Sequence, residues 1–361
     1  MSNVWGEHIK ISIFGESHGG GIGVVIGGLP AGEDIDLALV EKEMQRRAPG
    51  RHEYDTPRKE ADKVQILSGL LNHTTTGAPL CGLIMNTDVH SWDYENLHPR
   101  PGHADLTALI KYKGFNDPRG GGHFSGRLTA PLTFAGAVAK QILRRRGVGI
   151  GAHIQEIAGI HDGTFAGEER IDIAKLEKVS SLDFPVLDLK IVRAMEDAIK
   201  AAKEDDDSVG GVIECAACGL PAGLGEPFFS SMESQIASMM FSIPAVKGIE
   251  FGAGFQLANM RGSQANDPIA FENEQICTLT NHNGGINGGI TNSMPILFRV
   301  CIKPTPSIGR PQSTTDLKTM EQTTIAIKGR HDPCIVPRAV PVVEAGMALC
   351  LLDAWCREGR R

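Results

Sequence analysis

Gly28-Leu-Pro-Ala-Gly32 and Gly219-Leu-Pro-Ala-Gly223 are the same five residues, met twice in a chain of 361. Each copy follows a Val/Ile-rich stretch that reads as a strand, and each leads into a helical pattern. Downstream, Thr76-Gly-Ala-Pro-Leu-Cys-Gly-Leu-Ile-Met85 has a loose echo in Thr291-Asn-Ser-Met-Pro-Ile-Leu-Phe-Arg-Val300. A convenient turn used twice would explain the pentapeptide alone. The recurring order of strand, GLPAG, helix and strand favours two similar sheet-and-helix halves, roughly 1–150 and 190–361, with a longer insertion in the second.

Working outward from the first copy, apolar alternation predicts strands near Ile9–Phe14 and Gly21–Gly27. A helix is expected from Asp36 to Arg47, with Leu37, Val40 and Met44 on one face, Asp34 or Asp36 as cap, and Pro49-Gly50 as stop. Further helices are expected at Thr129–Arg146, Leu187–Lys203 and Val340–Arg357. The Thr129–Arg146 pattern presents Leu132, Ala135, Ala139 and Ile142 or Leu143, a face of small side chains suited to close, central packing. Ala48–Arg58, Asn266–Asn287 and Pro304–Gln322 lack periodicity and read as mobile loops, two of them beside the densest motifs, where a lid would sit.

Composition narrows the function. The chain is 41% apolar and 22% charged, ordinary values for a globular protein, with 43 glycines and 5% aromatics. A net charge of −7 argues against a general binder of nucleic acid or membrane surfaces. No apolar run is expected to span a bilayer, and Met1–Lys10 lacks the order of a signal peptide. Eight scattered cysteines, with only Cys215 and Cys218 in CxxC spacing inside an apparent strand, read as buried thiols of a reducing, cytoplasmic compartment.

Five clusters carry chemistry. Phe14-Gly-Glu-Ser17-His18-Gly-Gly-Gly21 presents a Ser and a His in a glycine turn, without the elbow context a Ser-His-Asp hydrolase needs. Arg46, Arg47, Arg51 and Arg58 gather around Pro49-Gly50, a pattern ordinarily found at a solvated helix end. Arg100-Pro-Gly-His103-Ala-Asp105 sets three ionisable groups around a turn. Arg119-Gly-Gly-Gly-His123-Phe-Ser125-Gly-Arg127 lets backbone approach a ligand beside anion donors. The fifth is Lys328-Gly-Arg330-His331-Asp332-Pro-Cys-Ile-Val-Pro-Arg338. So many arginines in an acidic chain point to a substrate with several anionic groups. Neither GxGxxG nor a P-loop is present, and no paired Cys/His spacing suggests a metal. Taken from the residues alone, this is an enzyme acting on a polyanionic phosphate ester in an Arg/His pocket.

FGESHG at 14–19, RPGHAD at 100–105, RGSQAND at 261–267, GGINGGI at 284–290 and GRHDPCIVPRAVP at 329–341 together resemble the signatures of the chorismate synthase family, in that family's order. The resemblance implies an α+β fold, a β-α-β sandwich with long central helices between two antiparallel sheets, assembled as a homotetramer. It implies conversion of 5-enolpyruvylshikimate 3-phosphate to chorismate by anti-1,4 elimination of phosphate, with reduced FMN required and no net redox change. His18 would protonate the leaving phosphate, His103 would sit by flavin N1, and Asp332 would help flavin N5 take the substrate hydrogen, with Ser17 and Ser125 orienting the network. Arg47, Arg51, Arg100, Arg127 and Arg330 would hold the substrate's anions. Flavin contacts would come from His123, Phe124, Ser125, Gln264, Ala265, Gly289, Lys303, Pro304, Thr305, Pro306, Ser307 and Arg330. NADPH or an external flavin reductase would supply reducing equivalents, and no nucleic-acid or membrane partner is implied.

The chain departs from the family pattern at two places. His123-Phe124 stands where an Arg-Ser is usual, exchanging a permanent charge for one carried only while protonated. Glu53 stands at an often basic position, with Arg51 two residues earlier as its substitute. A flavin-binding sensor without turnover and a phosphoryl-transfer enzyme are the rival readings. The retained His18, His103 and Asp332 count against the first, and the missing P-loop against the second.

Overall fold

The computed structural model describes residues 3–50, 62–87, 98–167, 171–272, 274–327 and 332–359. Two five-stranded antiparallel sheets form its outer layers. The first holds β1 (Val4–Trp5), β2 (Lys10–Gly15), β3 (Gly21–Gly27), β4 (Val64–Ser68) and β5 (Leu80–Met85), in the order β1-β2-β3-β5-β4. The second holds β6 (Gly149–Ile157), β7 (Ile160–His161), β8 (Gly211–Cys218), β9 (Val246–Phe251) and β10 (Ile296–Ile302), in the order β7-β6-β8-β10-β9. The two orders agree at the last three places, third strand, fifth and fourth, and differ in that the first two strands are exchanged. The helices are α1 (Leu37–Arg47), α2 (Asp105–Tyr112), α3 (Thr129–Arg145), α4 (Ile173–Ser180), α5 (Val192–Glu204), α6 (Met232–Ser242), the single turn α7 (Gly262–Ala265) and α8 (Val336–Arg357). Between the sheets, α3 lies on β2, β3 and β5, α8 lies on β6 and β8, and the two helices pack on each other. This is the α+β sandwich with long central helices between two antiparallel sheets.

The repeated pentapeptide builds the same corner twice. Gly28 and Gly219 have φ of +84° and +80°, and a Cβ on either would lie 2.1 or 2.0 Å from a carbonyl oxygen of the neighbouring strand's approach, His8 or Gly147. Gly32 N–H donates to the Thr75 carbonyl at 2.8 Å, and Gly223 N–H to the Thr291 carbonyl at 2.9 Å. The hydroxyl of Thr75 donates to Pro30 O and that of Thr291 to Pro221 O, at 2.6 and 2.8 Å. Thr75, rather than Thr76, is therefore the counterpart of Thr291. The second copy of the strand order opens at Gly149, ahead of the 190 expected, because β6 belongs to the second sheet. The segment carrying α4 and α5 is its insertion.

Helix α1 is capped by Asp36, whose carboxylate accepts from Ala38 N at 2.8 Å. The small face of α3 does bring it to the centre: a Cβ on Gly136 would fall 2.1 Å from the Ala345 Cβ of α8. Helix α8 starts one turn earlier than expected, because Pro337 lies in the first turn, where its missing N–H costs nothing. Contrary to the sequence expectation, α8 is long and apolar enough to cross a bilayer, with a mean hydropathy of 1.6. Its side chains from Val336 to Ala354 are instead almost all buried between the sheets. Two of the expected loops contain ribbons: Ile269–Glu272 pairs with Gln275–Thr278, and Gln312–Asp316 with Glu321–Ile325. Residues 51–58 of the remaining loop lie outside the described residues.

Candidate active site

A cavity of ≈ 760 Å³ opens where α1 ends and both central helices begin. Thr129 opens α3 there, and Ile335, Arg338 and Ala339 belong to the start of α8. Two helix N-termini thus bring positive potential to one space. Further wall comes from Phe241–Lys247, the end of α6 and the entry to β9, and from Lys303 and Thr305–Ser307 after β10. Arg47, Arg100, Arg127, Lys247, Lys303 and Arg338 supply cationic side chains to the lining, and Asp332 is its one carboxylate among the described residues. The excess of positive charge suits a ligand with several anionic groups.

Each arginine is pinned. Arg47 donates from Nη1 to Asp62 Oδ2 at 2.6 Å, from Nε to Thr129 Oγ1 and from Nη2 to the Gly126 carbonyl, both at 3.1 Å. Arg127 pairs with the other oxygen of Asp62 and reaches Asn86 Oδ1 at 3.0 Å. Burial pulls the Arg47 guanidinium down to about 10, helped by Arg338 and Arg127 and opposed by Asp62. Arg100 grips Asp105 with Nε and Nη2 at 2.7 and 2.8 Å and donates from Nη1 to Ser307 Oγ at 3.0 Å. Burial pushes the Asp105 carboxyl up, but the hydrogen bonds from Arg100 and His103 outweigh it and hold it well below the usual range. Arg338 donates to Asp332 Oδ2 at 2.6 Å and to the Arg47 carbonyl at 3.2 Å.

The histidines flank a run of glycines. Gly120, Gly121 and Gly122 have φ of +58°, +84° and +53°. A Cβ on Gly120 would lie 2.0 Å from His18 Cε1, and one on Gly121 would lie 3.2 Å from His103 Nε2. His103 Nδ1 stands 2.6 Å from Asp105 Oδ1 and 3.1 Å from Arg100 Nη2, which fixes the ring and leaves Nε2 outside these contacts. His123 Nδ1 donates to the Gly15 carbonyl at 2.9 Å. Ser17 is fully buried, its hydroxyl has no hydrogen-bond partner among the described residues, and its N–H donates to Gly122 O at 3.0 Å.

Of the residues singled out by sequence, Arg47, Arg100, His103, His123, Phe124, Ser125, Arg127, Lys303, Thr305, Pro306, Ser307 and Asp332 share this lining. His18 and Ser17 lie behind Gly120 instead of on the lining itself. Pro304, Gln264, Ala265 and Gly289 are not on it, and Gly289 packs against Ser231. Arg51 and Arg330 lie outside the described residues. Sequence reading missed Asp62, Asn86 and Lys247, which no motif marks. Arg338 stood in the fifth cluster, but only the first turn of α8 turns it onto Asp332.

A two-sheet sandwich whose central helices point their N-termini into an arginine-rich cavity defines an enzyme that handles a polyanionic small molecule. The sequence profile described as Chorismate synthase matches residues 9–356, and the chain belongs to the chorismate synthase family. It is 46% identical over 361 residues to the chorismate synthase of Dehalococcoides mccartyi strain BAV1, covering 99% of this chain and 98% of that one. It is 45% identical over 359 residues to that of Methanosarcina barkeri, covering 99% and 97%. A solved structure titled Crystal Structure of Chorismate Synthase superposes with a TM-score of 0.77 at 28% identity, over 98% of this chain and 93% of the other. The chain is accordingly a lyase of aromatic amino acid biosynthesis, converting 5-enolpyruvylshikimate 3-phosphate to chorismate.

Proposed function

We propose that the chain carries out this conversion as an anti-1,4 elimination, with reduced FMN and substrate together in the arginine-rich cavity. The observation that carries the reading is the lining itself, six cationic side chains around a single carboxylate, Asp332, among the described residues. Arg47, Arg100, Arg127 and Arg338 meet the substrate's phosphate and two carboxylates, and the two helix N-termini add to their field. Arg51 and Arg330 join them in this reading by motif position.

The walls fit a flavin mononucleotide. Lys303 offers a cation, Ser125, Thr305 and Ser307 offer hydroxyls, and Phe124 and Phe241 offer apolar surface. Lys303 is itself held in place, donating from Nζ to Gly102 O at 2.5 Å. When bound and reduced, the flavin supplies electron density that eases departure of the phosphate. His103 would meet the flavin through Nε2, since Asp105 occupies Nδ1. His18 delivers a proton toward the departing phosphate past Gly120, where the missing side chain lets its imidazole come up behind the cavity wall. Asp332, fixed by Arg338, would assist flavin N5 in taking the substrate hydrogen. Gln264, Ala265 and Gly289 remain assigned to the flavin by motif alone. All eight cysteines are free, which fits a reducing, cytoplasmic setting, and in this reading an external reductase supplies the electrons.

Chorismate formation under anaerobic conditions with chemically reduced FMN, without and then with NADPH, tests the reading. Turnover is expected in both arms, at the same rate. Asp332→Asn keeps the shape but removes the base, so turnover should fall about a hundredfold or more while FMN affinity barely changes. Near-normal turnover in that variant would show that the base lies elsewhere.

A further inference from the structure

Asp62 stands just ahead of β4, fully buried, and it does not line the cavity. Each of its oxygens takes a different arginine: Oδ2 takes Nη1 of Arg47 at 2.6 Å, and Oδ1 takes Nη1 of Arg127. Both arginines are nearly buried themselves, with side chains 5% and 3% exposed, and both reach the lining. Arg47 comes from the end of α1 and Arg127 from the turn before α3, so nothing in the local chain relates them. The shared carboxylate does, together with the bond from Arg47 to the Gly126 carbonyl beside Arg127. Asp62 adopts φ of +48°, a left-handed conformation that an aspartate tolerates better than most residues.

We propose that Asp62 is the positioning residue of the substrate-anion clamp, holding Arg47 and Arg127 in one fixed orientation from behind the cavity wall. The inference rests on the reading that this pair binds the substrate's anionic groups. Two guanidiniums side by side repel, and Arg338 adds a third charge close to Arg47. One carboxylate between the first two cancels half their charge and fixes the facing of each fork. Of the five donor N–H of Arg47, three are spent on Asp62, Thr129 and Gly126, and two remain among the described residues. An anion is then met by donors already ordered, with little rotamer freedom left to lose.

The sign of the effect separates this from plain electrostatics. A negative charge beside an anion site should weaken binding, so removing it would tighten binding if charge were all that mattered. If position matters, removal weakens it. Asp62→Asn deletes the charge and keeps the shape. Asp62→Glu keeps the charge and moves both oxygens outward by one methylene. Steady-state kinetics with 5-enolpyruvylshikimate 3-phosphate and reduced FMN, and calorimetric titration of inorganic phosphate, are measured for both, with thermal unfolding to confirm folding. Each variant is expected to raise KM and weaken phosphate binding by about tenfold or more, with kcat falling less than KM rises. Tighter phosphate binding in Asp62→Asn with unchanged Asp62→Glu would reduce the carboxylate to a charge and overturn the proposal. So would variants that unfold at lower temperature yet bind both ligands normally when folded. If Asp62→Asn does not fold, an unaltered KM in Asp62→Glu overturns it alone. Should the wild type bind phosphate but not turn over the substrate, the assigned reaction fails, and the phosphate titrations still decide the role of Asp62.

Discussion

Arg46 and Arg47 are neighbours in sequence and do opposite work, because successive helical positions point about 100° apart. Arg46 turns inward to the buried Glu344 at 2.7 Å, while Arg47 turns to Asp62 and the cavity. Neither is the solvated helix end that a basic run ordinarily marks. Gly120 makes the same point for a residue with no side chain. At φ of +58° it accepts a Cβ only with strain, and the Cβ would strike the His18 ring. Gly120→Ala should therefore push the imidazole away and lower turnover about a hundredfold, the scale of an ångström's misplacement. Thermal unfolding should show the protein still folded. A variant with full turnover would separate His18 from the reaction.

At the scale of elements, two buried charge clusters tie the layers together. Glu344 of α8 accepts from Arg46 of α1, from Lys140 of α3 at 2.6 Å, from Ser180 at 2.9 Å and from the Ala152 N–H of β6 at 3.0 Å. Burial pushes its carboxyl up, but Arg46 and Lys140 outweigh that and hold it far below the ordinary value. The second cluster centres on His153 of β6, whose Nδ1 meets Asp162 at 3.1 Å and Nε2 meets Glu214 of β8 at 2.9 Å, with the Phe165 ring against its edge. Burial lowers its pKa, yet the hydrogen bonds to Asp162 and Glu214 prevail and raise it above the ordinary value. A raised histidine contributes stability that is fully present below its unfolded pKa, about 6.5, and lost as pH rises through the folded one. Denaturant melts of wild type and His153→Gln should therefore differ most near pH 6 and converge at higher pH. A gap independent of pH would mean that the imidazole is neutral throughout. The cluster was not legible in sequence, because Asp162 and Glu214 belong to no motif and meet His153 only through sheet pairing.

For the molecule as a whole, apolar surface remains open. Phe229 is 96% exposed, Phe228 85% and Phe255 83%, and Phe271 stands opposite Ile276 on a two-stranded ribbon with both outward. An isolated ribbon is marginal in water, and contiguous apolar patches mark association surfaces. Association with further copies would cover such surfaces, and the family resemblance implies a homotetramer. Sedimentation at micromolar concentration should show a tetramer, and Phe229→Glu with Phe271→Glu should shift it toward smaller species. A fully active wild-type monomer would overturn the assembly.

The sequence by itself determined the layers and most of the cavity's ingredients. Helical periodicity, GLPAG corners and alternating strands are local, so α1, α3, the first strands and the duplicated halves could be read from spacing, small residues on α3 foretold its central place, and the two-sheet sandwich followed from the family resemblance. The motif clusters likewise announced an arginine-rich, histidine-bearing site, because loops rich in glycine and charge have few structural reasons to exist. Tertiary structure decided what meets what. That Asp62 serves two arginines and that His18 stands behind Gly120 depend on contacts between distant segments, while Arg338 meets Asp332, six residues away, because α8 begins between them. Those contacts follow from how α1, α3 and α8 converge, and no local period in the chain encodes that convergence.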